Sequence, residues 1–325
     1  MASATSNLSL VHSGGVNFPL AVGEAAYRVD ALYFFIYFLS AVTFFGIVGA
    51  LIYFVIKFRR RPDHQIALNQ MTHSTALEIA WTVIPLILVS IIFVWGYTAY
   101  LKNIVPSSDA KEMRAIGRKW SWTFEDPTTG LRTNNELVVP LHQPIRLIMS
   151  SEDVIHSLFI PNLRVKQDVL PNHYTTLAFT ADRAGRYQIF CTEFCGDGHA
   201  RMLANLVVLD DADYVKWQAD QKAASSATLP LNELGKKVST DQGCFSCHSV
   251  DGSKSIGPSW KGIYGANRQL VGGKSAKADD NYLRRAIVDP AAEITAGYAP
   301  MMPTYAGKLS DQEMAGIIEY IRTIK

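Results

Sequence analysis

Cysteine is scarce, with only Cys191, Cys195, Cys244 and Cys247 among 325 residues. They form two close pairs at spacings that metals and haem use, so no thiol is left over for an intermolecular bridge. Charge is also short. Formal net charge is +2, from 31 basic and 29 acidic residues. No broad basic field exists to attract nucleic acid, and that class of partner is excluded. Charged residues make up only 18% of the chain against 48% hydrophobic. That is too apolar for an ordinary soluble protein and too polar for one living mostly in lipid, so a mixed architecture of two or three domains is expected.

Two long hydrophobic stretches supply the apolar excess. Residues 31–57 read ALYFFIYFLSAVTFFGIVGALIYFVIK, and a second apolar run covers 76–101. Each exceeds the roughly 20 residues that cross a bilayer. The first lacks the basic leader and the short core of a signal peptide. Between the runs, Lys57, Arg59, Arg60 and Arg61 outweigh the single Arg28 ahead of the first. The loop is therefore expected on the cytoplasmic side, with both termini and everything after residue 101 outside. Pro85 should bend the second helix. At its start, Thr75 and Glu78 have the spacing of a capping box, whereas an acid near a membrane span also fits an ion path.

From 105 to 210 the pattern changes to short β-rich runs broken by Pro, Gly, Asn and Asp, which predicts a β-sandwich. One run ends in CTEFCGDGHARM, which gathers Cys191, Cys195, His199 and Met202 within twelve residues. His156, at another strand boundary, could complete a site. Thiolate, imidazole and thioether together favour copper. A Cys191–Cys195 disulfide and a zinc site remain alternatives in an oxidising compartment.

After 210 comes a stretch that begins like a short amphipathic helix and ends in small polar residues typical of a tether. CFSCH then places Cys244, Cys247 and His248 at the spacing that attaches haem by two thioethers and supplies a proximal imidazole. A thioether is the expected second axial ligand. GYAPMMPTYAG offers two candidates, Met301 and Met302. Residues 233–325 carry 12 Lys and Arg against 10 Asp and Glu. Electrostatic docking of this segment is therefore not expected, and a tether giving an effective concentration on the order of millimolar would replace it.

IHSLFIP, VKQDVLP, CTEFCGDGHARM and, in the second helix, LEIAWTVIP resemble subunit II of the haem-copper oxidases, and CFSCH with GYAPMMPTYAG resembles a class I cytochrome c. The resemblance implies a caa-type multidomain chain: an outer segment at 1–30, a two-helix transmembrane hairpin at 31–101, a cupredoxin-like β-sandwich at 105–210, a linker at 211–232 and an all-α class I cytochrome c domain at 233–325. It implies a dinuclear copper centre held by His156, Cys191, Cys195, His199, Met202 and the Glu193 carbonyl. The Glu193 side chain would face a magnesium or manganese ion at the catalytic-subunit border. It further implies covalent haem c on Cys244 and Cys247 with His248 and Met302 as axial ligands, electron entry at Trp120, and a proton-path role for Glu78. Trp120 and Trp122 alternate as strand residues do, so plain packing is the other reading of Trp120. In this family Pro171 is commonly followed by Gly-Arg, whereas this chain has Asn172 and His173.

The expected function is the electron-entry subunit of a proton-pumping cytochrome c oxidase in the bacterial inner membrane. Expected partners are catalytic subunit I and further oxidase subunits, an external cytochrome or membrane redox complex as donor, and membrane lipid. Dioxygen chemistry is assigned to the partner, because this chain lacks the helices and intramembrane histidines that it needs. The alternative reading is a membrane-anchored copper-binding assembly or sensor protein.

Overall fold

The computed structural model describes residues 15–60, 62, 72–226 and 229–325. Arg61 and the first fourteen residues of the predicted outer segment lie outside the described residues. Helix α1 spans Glu24–Lys57 and α2 spans Thr75–Ile104. At 1.5 Å per residue these 34- and 30-residue helices measure about 51 and 45 Å, well beyond a hydrocarbon core of about 30 Å. The surplus in α1 lies at its start, where Ala25 and Ala26 are buried. There Arg164 Nε and Nη2 donate to the two carboxylate oxygens of Asp30, each at 2.9 Å, and clamp the hairpin to the domain above. Most of the remaining hairpin surface is apolar and exposed, as suits lipid or a partner's helices.

The expected Thr75–Glu78 capping box does not form. Helix α2 starts at Thr75, which makes Ser74 the N-cap, and no side chain caps it. Glu78 thus sits one position too deep to reach back to the cap, and its side chain is exposed.

The sandwich is built from ten strands: β1 (Lys111–Arg118), β2 (Ser121–Asp126), β3 (Leu131–Asn134), β4 (Glu136–Pro140), β5 (Ile145–Ser151), β6 (His156–Ile160), β7 (Val165–Val169), β8 (Thr175–Phe179), β9 (Gly185–Cys191) and β10 (Leu203–Leu209). They form two five-stranded sheets, ordered β3-β2-β1-β5-β8 and β4-β10-β9-β6-β7. Pairing is antiparallel except for β1 with β5 and β4 with β10. Alternation does the sorting: in β5 Ile145, Leu147, Met149 and Ser151 are buried and the residues between them are not. The inner faces bury Trp122, Phe124, Leu137, Leu158, Tyr187 and Ile189.

Helix α3 (Asp211–Ser226) forms where a short amphipathic helix was expected and continues into the small polar residues read as a tether. Its Tyr214 and Trp217 stack at 5.7 Å and pack on Val138, Val207 and Leu209 from the outer side of a sheet. Those two aromatic anchors hold the segment as a docked helix; apolar burial of this kind, more than propensity, makes a short helix persist.

The C-terminal domain contains α4 (Leu231–Asp241), a small ribbon β11 (Asn267–Gln269) and β12 (Ser275–Lys277), α5 (Asp280–Val288) and α6 (Asp311–Thr323). Ser310 caps α6 in a capping box with Glu313, and Met314, Ile317, Ile318 and Ile321 form its buried stripe. Helices α4 and α6 cross backbone against backbone, because a Cβ on Gly235 would overlap the Gly316 carbonyl. Gly235→Ala is therefore expected to destabilise this domain by about 3 kcal/mol, since the rigid carbonyl cannot move aside. Denaturant unfolding followed by circular dichroism should show a lower midpoint; an unchanged midpoint would mean that the crossing is looser.

Candidate copper centre and haem cleft

The first cluster sits where three strands end. Antiparallel pairing of β6 with β9 sets Leu158 opposite Cys191 and so brings His156 beside it. Cys191 in turn donates its amide N–H to the Met202 carbonyl at 3.2 Å, which folds the intervening loop back over the sheet edge. Cys191 Sγ lies 3.8 Å from Cys195 Sγ, 3.9 Å from His156 Nδ1 and 3.4 Å from the Glu193 carbonyl. Cys195 Sγ lies 3.5 Å from His199 Nδ1 and 3.9 Å from Met202 Sδ. All six residues expected at the copper thus meet in one pocket. Both cysteines are free thiols in this structure, not a disulfide.

Asp153 belongs to this site and had no signal beyond lying three residues before His156. Its Oδ1 is 2.8 Å from His156 Nε2, so that nitrogen carries the proton and Nδ1 is left for a metal. Burial alone would raise the Asp153 pKa, but His156 and the amide N–H groups of Lys119 and Val154 outweigh it and hold the carboxyl at about 2. Burial likewise raises both thiols. At Cys191 the hydrogen bonds, His156 foremost, reverse the shift and lower it, while the adjacent Cys191 sulfur pushes Cys195 higher. One thiolate forms readily, and the second needs a cation to arrive; soft donors in this number suit copper.

The Glu193 side chain is exposed, and its neighbour Phe194, 75% exposed, meets the His199 ring edge-on at 5.8 Å. Among the described residues, His156, Cys191 and Cys195 form the one group of three or more His, Cys, Asp or Glu with metal-ligating spacing.

Trp120 is 3% exposed and lies directly over the metal loop, where its Nε1 donates to the Cys195 carbonyl at 3.1 Å. Gly198 makes this possible, because a Cβ there would overlap the indole ring.

The second site is a cleft of about 1330 Å³, including its open mouth, lined by Cys244, Cys247, His248, Met301, Met302 and Tyr305 among mostly apolar neighbours. Cys244 and Cys247 are unpaired thiols. His248 Nδ1 donates to the Pro258 carbonyl at 2.7 Å, which leaves Nε2 free to ligate. Burial keeps this imidazole below its ordinary pKa and hence neutral. Met302 packs within the core of its own domain, whereas Met301 packs against the sandwich core. These residues fit a haem held through two sulfurs and an axial imidazole.

The two sites adjoin. Cys247, Ile256 and Met301 pack on the sandwich, and Ser246 Oγ donates to the Trp120 carbonyl at 3.4 Å. Lys119 of the sandwich lines the haem cleft. The expected tether is thus supplemented by a docked interface, which the near-neutral charge count did not reveal because its contacts are mainly hydrogen bonds and apolar packing.

Fold and clusters together define a membrane-anchored redox protein with two adjoining centres. The family description for the periplasmic domain of cytochrome c oxidase subunit II matches residues 126–209, that for its transmembrane domain matches 12–98, and that for cytochrome c matches 232–325. Subunit 2 of Oenothera berteroana cytochrome c oxidase is 30% identical over 226 residues, covering 61% of this chain and 85% of that protein. The Alkalihalophilus pseudofirmus subunit 2 is 28% identical over 290 residues, covering 86% and 83%. The solved periplasmic domain of Bradyrhizobium japonicum subunit II aligns with a TM-score of 0.36 at 26% identity, covering 37% of this chain and 99% of that one. The chain belongs to the cytochrome c oxidase subunit II family and carries a fused C-terminal cytochrome c domain.

Proposed function

We propose that electrons from an outside donor enter this subunit at the C-terminal domain, cross the corner at Trp120 and reach the Cys191–Cys195 cluster. From there they pass to catalytic subunit I, where dioxygen is reduced. The observation that carries this order is the chain of contacts from Ser246 to Trp120 and from Trp120 to Cys195. Family membership makes the chain the electron-entry subunit of an oxidase and implies copper and haem.

In the finer reading, His156, Cys191, Cys195, His199, Met202 and the Glu193 carbonyl hold two coppers. Cys244 and Cys247 would attach haem c covalently, with His248 and Met302 as its protein ligands. Bound there, these groups would supply one-electron chemistry, with the Cys191 and Cys195 thiolates as shared soft donors. The chain's own contribution is to fix the donors: Asp153 holds His156 in one tautomer, and the Pro258 carbonyl does the same for His248. The exposed Glu193 carboxylate would contribute to a magnesium or manganese site shared with subunit I. Both soluble domains would lie on the outer face of the bacterial inner membrane, with lipid around α1 and α2 and an external cytochrome or membrane redox complex as donor.

Optical and electron paramagnetic resonance spectroscopy with metal counts per chain tests this. Two coppers sharing one electron beside one low-spin covalent haem is the expected result; a single isolated copper, or zinc, would overturn the copper assignment. The exposed Glu78 at the start of α2 is proposed to feed a proton path in the neighbouring subunit. Glu78→Gln should then slow steady-state turnover several-fold while leaving reduction of the copper centre intact, as stopped-flow spectroscopy would show. Equal turnover would remove Glu78 from the path.

A further inference from the structure

We infer that Arg118 is the positioning residue that latches the C-terminal domain over Trp120. This inference rests on the electron route proposed above. Arg118 ends β1, two residues before Trp120. Its Nη1 donates to Gln242 Oε1 at 3.3 Å and its Nη2 to the Gln242 carbonyl at 3.2 Å. The same guanidinium lies 5.9 Å from the centre of the Tyr305 ring. Tyr305 is 8% exposed, lines the haem cleft, and donates its own hydroxyl to that Gln242 carbonyl at 3.0 Å. Gln242 ends α4 and leads through Gly243 directly into Cys244. One side chain of the sandwich therefore grips both walls of the cleft, the turn entering CFSCH and the segment that follows Met302.

Other polar contacts between the domains are weaker candidates. Lys308 and Glu152 pair at 3.4 Å but are 46% and 44% exposed, so water and salt screen them. Asn134 Nδ2 reaches Asp241 Oδ1 at 3.2 Å, yet Asp241 is already held by Lys237 at 2.6 Å within α4. The planar guanidinium suits the Arg118 position in a way an ammonium does not, because it donates twice in one plane and lies over a ring at once. Without it the domain keeps its linker and its apolar contacts but loses the forked bond that sets its orientation over Trp120. Misplacement on the ångström scale is enough to slow a reaction that depends on geometry.

The test uses the assembled oxidase with the full-length chain carrying Arg118→Ala or Arg118→Lys. Flash photoreduction of the haem gives the rate of transfer to the copper centre, redox titration gives both midpoint potentials, and amide exchange reports on residues 241–248. Arg118→Ala is expected to slow transfer roughly tenfold, with both potentials unchanged and exchange at 241–248 raised; Arg118→Lys should fall between it and the parent. An unchanged rate and exchange pattern in Arg118→Ala overturns the latch, as does a slowed rate accompanied by a shifted haem potential, which would mark electronic tuning. Should Arg118→Ala fail to load either centre, Arg118→Lys decides alone, and parental rate and exchange in it overturn the proposal. Absence of any transfer between domains in the parent would refute the electron route itself and is distinguishable from all of these.

Discussion

Cys191→Ser is expected to abolish the shared-electron copper signal and to lower oxidase turnover by more than about 100-fold, while the haem still accepts electrons. The magnitude follows from scale: losing even a partner that only orients a metal ligand costs about 10–100-fold in affinity or activity, and Cys191 is central to the cluster. Its sulfur is within 3.9 Å of Cys195 Sγ, His156 Nδ1 and the Glu193 carbonyl. A hydroxyl in its place is a hard, protonated donor that copper binds poorly. The backbone should survive, because the Cys191 amide bond to the Met202 carbonyl and the pairing of Leu158 with Cys191 do not use the sulfur. Stopped-flow reduction should therefore show a haem that reduces at the parental rate and then remains reduced. Retention of a two-copper signal in Cys191→Ser would refute the assignment of that thiolate as a bridge. Asp153→Asn offers the graded counterpart, weakening the site without emptying it.

What could be read from the chain follows the distance between partners. CTEFCGDGHARM places four donors on one loop, so its chemistry is visible in twelve residues. CFSCH is legible for the same reason. His156 was reachable only as a candidate, because the pairing of β6 with β9 that delivers it spans more than thirty residues. Asp153 offered nothing to a reader of pattern, since acids near histidines are common and only the 2.8 Å contact gives this one a role. The start of α3 was legible as a helix, but its continuation into small polar residues and its docking through Tyr214 and Trp217 were not, because the sheet surface they pack on is distant in sequence. Thr75 and Glu78 matched a capping box in spacing, but the helix began at Thr75 and not one residue later. The docked interface joins residues more than a hundred positions apart, such as Arg118 and Gln242, and no local pattern encodes such pairs.

Met302→Ala should leave the haem covalently attached yet change its ligation, with loss of the low-spin spectrum and a fall in midpoint potential on the order of 100 mV, since a thioether axial ligand raises the potential and axial ligation tunes haem over about 0.8 V. Attachment persists because it uses Cys244 and Cys247, more than fifty residues from the methionine in sequence, and the His248 hydrogen bond to the Pro258 carbonyl does not involve the methionine. Met301 is the informative control. It lines the same cleft, but packs on the sandwich core together with Cys247 and Ile256. Met301→Ala should therefore keep the parental spectrum and potential and instead slow transfer from haem to copper by loosening the interface. If the two variants exchange phenotypes, Met301 is the ligand and Met302 the packing residue. That result would leave the electron route standing, but it would place the haem's sixth ligand at the face of the domain that meets Trp120.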